Sequence, residues 1–236
     1  MDDLTLLYYT DNTISDVFAK NIRKYLLDQT GGRVPIISVS QKPIDFGQNI
    51  CVGQIGKSYY NCYKQIYIGA LAARTKYIAC CEDDTIYNLE HFSRRPSKPG
   101  VFSYNTNLWF LNPELFFWKK DGEEEKNRTG MLCCIAETES LVKTLAGRFD
   151  KFPIEPIPND KRSLRFWQEP GRFEKKFNIP KVEVEYFETK DPVVVLNYRG
   201  SLGGKRVFGD GTGRLRVDSF PSTGTAKNVW DRFFNE

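Results

Sequence analysis

Three consecutive acids, Glu82, Asp83 and Asp84, end the apolar run Tyr77-Ile78-Ala79-Cys80-Cys81. Short apolar runs of this kind are buried strands in α/β proteins. Acids at the carboxyl end of such a strand point into the crevice where open α/β sheets bind ligands. Glu82 and Asp84 are two apart, so on extended backbone they face one side. Two oxygen ligands on one side, with Asp83 between them, suit a hard divalent cation, Mn²⁺ or Mg²⁺, that also holds a diphosphate. The same residues also fit a strand that ends in a solvated acidic turn.

A second phosphate-like signal is Gly53-Gln54-Ile55-Gly56-Lys57-Ser58, ahead of a helix. A full P-loop needs a glycine at the position of Cys51 and follows the first strand, not the second. The pattern therefore reads as accidental, although Lys57 and the helix start at Ser58 remain able to meet a phosphate. Basic residues cluster in two places. Arg94, Arg95 and Lys98 follow the acids, and Lys161, Arg162, Arg165 and Arg172 interleave with Phe166 and Trp167. Such mixtures grip phosphates and stack bases in nucleic-acid interfaces, and are equally a solvated surface.

The elements that must position these groups follow an α/β order. Leu4 to Tyr9 is a first strand, followed by the turn cluster Thr10-Asp11-Asn12-Thr13. Ile14 to Leu27 has helical apolar spacing and ends at Gly31-Gly32. Val34 to Val39 is a second strand, and Gln41 to Lys57 is irregular. Ser58 to Arg74 is a helix, and Tyr77 to Cys81 delivers the acids. This order predicts a parallel, three-layer α/β domain. Beyond it, Gly100 to Tyr104, Leu108 to Leu111, Leu115 to Trp118, Met131 to Ala136, Val182 to Phe187 and Val193 to Leu196 read as strands, and Glu137 to Arg148 as a helix. Residues 150 to 181 carry five prolines and read mostly as loop. From Arg199 onward the glycines predict a flexible tail.

Composition bounds the class. The 236 residues are 40% hydrophobic, enough for one large domain or one domain with an appendage. No apolar run reaches the roughly 18 residues of a membrane-spanning helix. No leader precedes the first strand, which predicts a cytoplasmic protein. Six cysteines without a C-x-x-C pair read as reduced core residues. The sequon Asn127-Arg128-Thr129 then reads as chance. A net charge of +4 permits a polyanionic partner without requiring one.

Taken in order, these pieces resemble the GT-A glycosyltransferases, particularly the family-2-like enzymes of a bacterial and phage group. The resemblance is carried by Gln65-Ile66-Tyr67-Ile68-Gly69-Ala70, Glu82-Asp83-Asp84 with Tyr87 and His91-Phe92, Glu169-Pro170-Gly171-Arg172, Val194-Val195-Leu196-Asn197-Tyr198 and Leu202-Gly203-Gly204-Lys205-Arg206. It spans roughly residues 4 to 206. It implies a single GT-A domain, a Rossmann-like three-layer α/β/α unit with a mixed central sheet. Residues 1–100 would form its nucleotide-sugar half, and 101–236 its acceptor half and tail. Thr10, Asp11 and Asn12 would hold the nucleotide, with Lys57 and Gln65 nearby. Glu82 and Asp84 would bind the metal, and Asp83 the ribose or sugar. Tyr198 stands where such enzymes often carry a metal-ligating histidine, so the metal site is expected to be weaker or completed by Asn197 or water. Glu169, with Glu137 as second choice, would take the acceptor proton in an inverting transfer. Arg172 and Arg206 offer guanidinium forks for the diphosphate. Trp109 and Trp118 would wall the acceptor. The expected donor is a UDP-sugar. Hydroxymethylated pyrimidines in phage DNA, flipped out of the stack, are one acceptor. Saccharide, lipid or protein acceptors, and a degenerate binding module that retains only the fold, are the alternatives.

Overall fold

β1 (Leu4–Thr10) is apolar nearly throughout and buried at every position. The computed structural model describes residues 1–120, 130–153, 167–172, 174–196 and 214–234. Alternation along β1 sends Leu4, Leu6 and Tyr8 to one core and Leu7 and Tyr9 to another, so both faces of the strand are covered. α1 (Asp16–Thr30) covers the first face with Phe18, Ile22 and Leu26, four apart. Ser15 caps it by accepting the Phe18 amide, and Gly31 ends it at φ 58°. β2 (Ile36–Ser40) and β3 (Gln48–Cys51) follow. α2 (Tyr59–Ala72), capped by Ser58, covers the opposite face with Tyr63, Ile66 and Ala70. β4 (Tyr77–Glu82) then returns beside β1, and the short β5 (Thr85–Ile86) and α3 (Leu89–Ser93) follow.

The second half completes the same sheet. It contributes β6 (Val101–Asn105), β7 (Leu108–Asn112), β8 (Phe116–Lys120), β9 (Cys134–Glu137), α4 (Thr138–Lys151), α5 (Glu174–Phe177), β10 (Glu183–Phe187) and β11 (Val193–Leu196). β12 (Arg214–Val217), β13 (Ser219–Phe220), β14 (Gly224–Thr225) and α6 (Ala226–Phe234) close the described chain. Among the described residues the large sheet has the order β10-β6-β9-β4-β1-β2-β3. β3, β2, β1 and β4 run parallel. β9 is antiparallel to both β4 and β6, and β10 runs parallel to β6. This is the three-layer α/β/α arrangement with a mixed sheet that the resemblance implied. A second sheet, β12-β8-β7-β11-β5, branches from the acidic turn.

Three expectations change. β3 lies in the stretch read as irregular. It is a polar edge strand held by its ladder to β2 and by Asn49, whose amide donates to Ser38 Oγ and Ser40 Oγ at 2.9 Å each, so no apolar run announces it. Met131–Cys133 is a 3₁₀ turn, and β9 starts only at Cys134. From Arg214 to Phe234 the tail is ordered. Its α6 packs on α1 through the stacked Phe18 and Phe234 and the edge-on Tyr25 and Phe233. The glycine density before Arg214 masked that amphipathic end. Cys80, Cys81, Cys133 and Cys134 are buried free thiols, whereas Cys51 is exposed on the edge strand. No helix among the described residues is long and apolar enough to cross a membrane.

Candidate active site

β1 leads through α1 to β2 on one side, while β4 packs on its other side after α2 has crossed the opposite face. Strand order therefore reverses between β1 and β4, and their carboxyl ends open a crevice there. The register pairs Tyr9 with Glu82, which sets Thr10 and Asp11 beside the three acids. β9 is antiparallel, so it enters the sheet where β4 leaves it and brings Gly130, Met131 and Leu132 to the same edge. A cavity of about 360 Å³ fills the crevice. Its polar wall holds Thr10, Asp11, Lys57, Glu82, Asp83 and Asp84, and its apolar wall is built around Tyr63, Phe110, Met131 and Trp167. Glu169 lines it from a separate segment.

Each acid has a local partner. Tyr9 donates its hydroxyl to Glu82 Oε1 at 2.9 Å. Thr10 donates to Asp83 Oδ2 in a short contact. Thr85 donates to Asp84 Oδ1 at 3.1 Å. The Asp84 carbonyl accepts the Leu196 amide at 2.7 Å, which ties the acidic turn to β11. Burial raises all three carboxyls above their usual range, with mutual repulsion adding to it, against a lowering pull of Lys57 on Asp83 and Asp84. Such a group of carboxylates is short of positive charge, and hard oxygen donors of this kind fit a divalent cation. Among the described residues no three His, Cys, Asp or Glu side chains converge closely enough to hold an ion by themselves.

Lys57 is held beside these acids. Its ammonium meets Asp11 at 3.2 Å and donates to Thr13 Oγ1 at 3.1 Å. The loop before it is tied at both edges. Gln41 Oε1 accepts the amides of Ile55 and Gly56, and Asn61 Nδ2 donates to the Ile55 carbonyl at 2.6 Å. Asn12 points away from the cavity, at φ 58°, and its Oδ1 accepts the Gln41 and Lys42 amides. Gln65 donates to the carbonyls of Thr10 and Val39, clamping the ends of β1 and β2. Gln65 also lines the cavity, whereas Asn12 is not among the lining residues.

Glu169 is buried and meets Arg172 Nη1 at 2.6 Å. Arg172 stands behind that carboxylate and is not among the cavity-lining residues. Glu137 is not brought to the site. It pairs with Tyr77, at the start of β4, so it lies at the opposite end of the sheet, and its Oε2 accepts the Gly100 amide. Arg95 lies at that end too, gripping Asp3 at 2.7 Å. Its neighbour Arg94 sits over the Phe187 ring. Trp109 faces the core against Phe220. Its neighbour Phe110 faces the cavity with Trp118 stacked against it at 4.8 Å, as the alternation of β7 requires. Tyr198, Arg206, Lys161, Arg162 and Arg165 lie outside the described residues. Sequence reading missed Tyr9, Gln41, Phe110, Arg148 and Glu174. Only the first two carried a signal, being at the ends of β1 and β2.

No family model matches the chain, and no curated protein matches it. Among solved structures it is similar to a glycosyltransferase involved in the glycosylation of the major capsid of PBCV-1, at 8% identity over 86% of this chain and 96% of that one, TM-score 0.49. It is also similar to Staphylococcus aureus TarS 1–349 in complex with UDP-GlcNAc, at 9% identity over 85% of this chain and 60% of that one, TM-score 0.46. A third is the bifunctional IspDF from Campylobacter jejuni, at 8% identity over 80% of this chain and 50% of that one, TM-score 0.42.

Proposed function

We propose that the protein is a glycosyltransferase that moves a sugar from a nucleoside-diphosphate sugar, with UDP as the nucleotide, to an acceptor hydroxyl. The observation that carries this reading is the row of three acids at the strand-order reversal, lining one cavity together with Glu169 and Lys57. Glu82 and Asp84 would hold Mn²⁺ or Mg²⁺ together with the donor diphosphate. The cation supplies neutralisation of the charge that develops on the leaving diphosphate.

The remaining work falls to the chain itself. Lys57, tethered by its loop, neutralises phosphate oxygens and exchanges Asp11 for them as the donor enters. Thr10 orients Asp83 toward the ribose or sugar. Glu169 accepts the proton of the acceptor hydroxyl while that oxygen attacks the anomeric carbon and the bond to the diphosphate breaks, a single displacement that inverts the centre. Arg172 fixes the direction of that carboxylate. Phe110, backed by Trp118, offers a flat face for a sugar ring or base.

A hydroxymethylated pyrimidine in DNA is the acceptor proposed from the sequence, with Arg94, Lys161, Arg162 and Arg165 as its basic contacts. Arg95 lies at the far end of the sheet, in an ion pair with Asp3. Calorimetric titration of UDP with and without Mn²⁺, followed by UDP release from a panel of UDP-sugars against modified DNA, unmodified DNA and saccharides, tests the reading. Metal-enhanced UDP binding with sugar transfer is expected. UDP binding without turnover on any acceptor would instead leave a binding module. Transfer to DNA should weaken steeply with added salt, and salt-insensitive transfer removes DNA as the acceptor.

A further inference from the structure

We infer that Arg148 of α4 and Glu174 of α5 form a buried strut that positions the Glu169 carboxylate, an inference that rests on the base role proposed for that residue. Each side chain is 3% exposed, and Arg148 Nη2 meets Glu174 Oε1 at 3.0 Å. The pair grips the chain on both sides of Glu169. Arg148 Nη1 donates to the Gln168 carbonyl at 2.6 Å, one residue before it. Glu174 Oε1 accepts the Gly171 amide at 2.7 Å, two residues after it. Between these points, Tyr104 donates its hydroxyl to the Pro170 carbonyl at 3.0 Å. Gly171 has φ 100°, and a Cβ there would come within 2.1 Å of Val184 Cγ1, so the segment passes β10 with no room to spare. The Arg148 guanidinium also lies 5.7 Å from the centre of the Tyr63 ring, which lines the cavity.

A buried ion pair is an ineffective way to gain stability, because desolvation offsets most of the attraction. Its planar donors, however, fix directions that an apolar contact leaves loose. A proton acceptor must be held within hydrogen-bond reach of the group it serves. Neither Arg148 nor Glu174 lines the cavity, so both are positioning residues.

The test uses three variants of the full chain. Arg148→Lys keeps the charge but reaches only one of its two acceptors. Misplacement by about 1 Å costs up to about 100-fold, so kcat should fall about tenfold in Arg148→Lys and about 100-fold in Arg148→Met, with UDP affinity unchanged. The double variant Arg148→Met/Glu174→Leu leaves no buried charge unpaired, and should recover the melting temperature without recovering kcat. Recovery of both, or a parallel loss of kcat and UDP affinity, overturns the positioning role. Hydrogen exchange on the unaltered protein is independent of turnover. The Gly171 amide should exchange as slowly as those of β4, and exchange at the rate of an open loop overturns the strut whether or not the variants fold. Absence of any sugar transfer by the unaltered protein sinks the proposed function alone, while exchange still decides the strut.

Discussion

Under the proposed function, Asp84 serves fold and chemistry through different atoms. Its carbonyl receives the Leu196 amide, and its carboxylate lines the cavity. Asp84→Asn keeps the backbone contact and removes the charge. The several kcal/mol expected of a metal-held leaving group translate to a loss of about 1,000-fold in kcat, with metal-dependent UDP binding weakened. Activity near that of the unaltered protein would falsify the assignment. Glu169→Gln separates base from binder: kcat should drop about 100- to 10,000-fold while calorimetric UDP affinity stays the same. His91 has a different fate. It is fully buried against Tyr87, Phe92 and Phe187, its Nδ1 accepts from Asn105 at 3.3 Å, and burial pushes its pKa down to about 3. The folded protein keeps it neutral while the unfolded chain protonates below about 6.5, so stability drops as pH falls from about 6.5 to about 3, by up to about 1.4 kcal/mol per pH unit. Denaturant titrations of the protein and of His91→Phe across that range should converge toward low pH. Parallel curves would mean that the imidazole is not kept neutral.

At the scale of elements, close approach decides where the site sits. α2 comes so near the sheet that a Cβ on Gly69 would lie 2.1 Å from Leu7 Cδ1 and 2.9 Å from Val39 Cγ2. Helix propensity favours alanine there by about 1 kcal/mol, but overpacking costs about 1 to 3 kcal/mol, so Gly69→Ala should destabilise on balance. A raised melting temperature would contradict that packing. The same approach lets Gln65 reach the carbonyls of Thr10 and Val39, which holds the site-bearing strand ends together. The site elements were the legible ones. β1, α1, α2 and β4 each bury a face and show it as an apolar run or a stripe four apart. β3 was illegible because it is a polar edge strand, and α6 because its amphipathic face follows a glycine-rich stretch. The Glu169 segment gave no local signal of its geometry, since Arg148, which joins Glu174 in holding it, comes from α4, some twenty residues earlier.

Over the whole molecule, the desolvated acids of the crevice tie the fold's stability to pH. Their raised pKa values mean that the folded state holds protons that the unfolded chain has released. Without a cation, stability is lost as pH rises from the ordinary carboxylate range toward neutrality. Mn²⁺ with UDP at about 100 times the dissociation constant should stabilise by about 2.7 kcal/mol, a melting shift on the order of 5–10 °C. The shift should be larger near pH 8 than near pH 5, since protons compete for the same oxygens. Thermal scans with Mn²⁺, with UDP, with both and with added chelator read this directly. Equal shifts in Asp84→Asn would place the ion elsewhere.

Sequence by itself determined the alternation of strands and helices, the parallel half of the sheet and the delivery of three acids to a strand end, because burial leaves its period in the order of side chains. Tertiary structure alone decided which acids share a cavity. Glu137 follows a strand just as the acids of β4 do, yet β9 runs the other way and carries it to the far end of the sheet. Strand direction is a property of the pairing partner, and no local pattern records it.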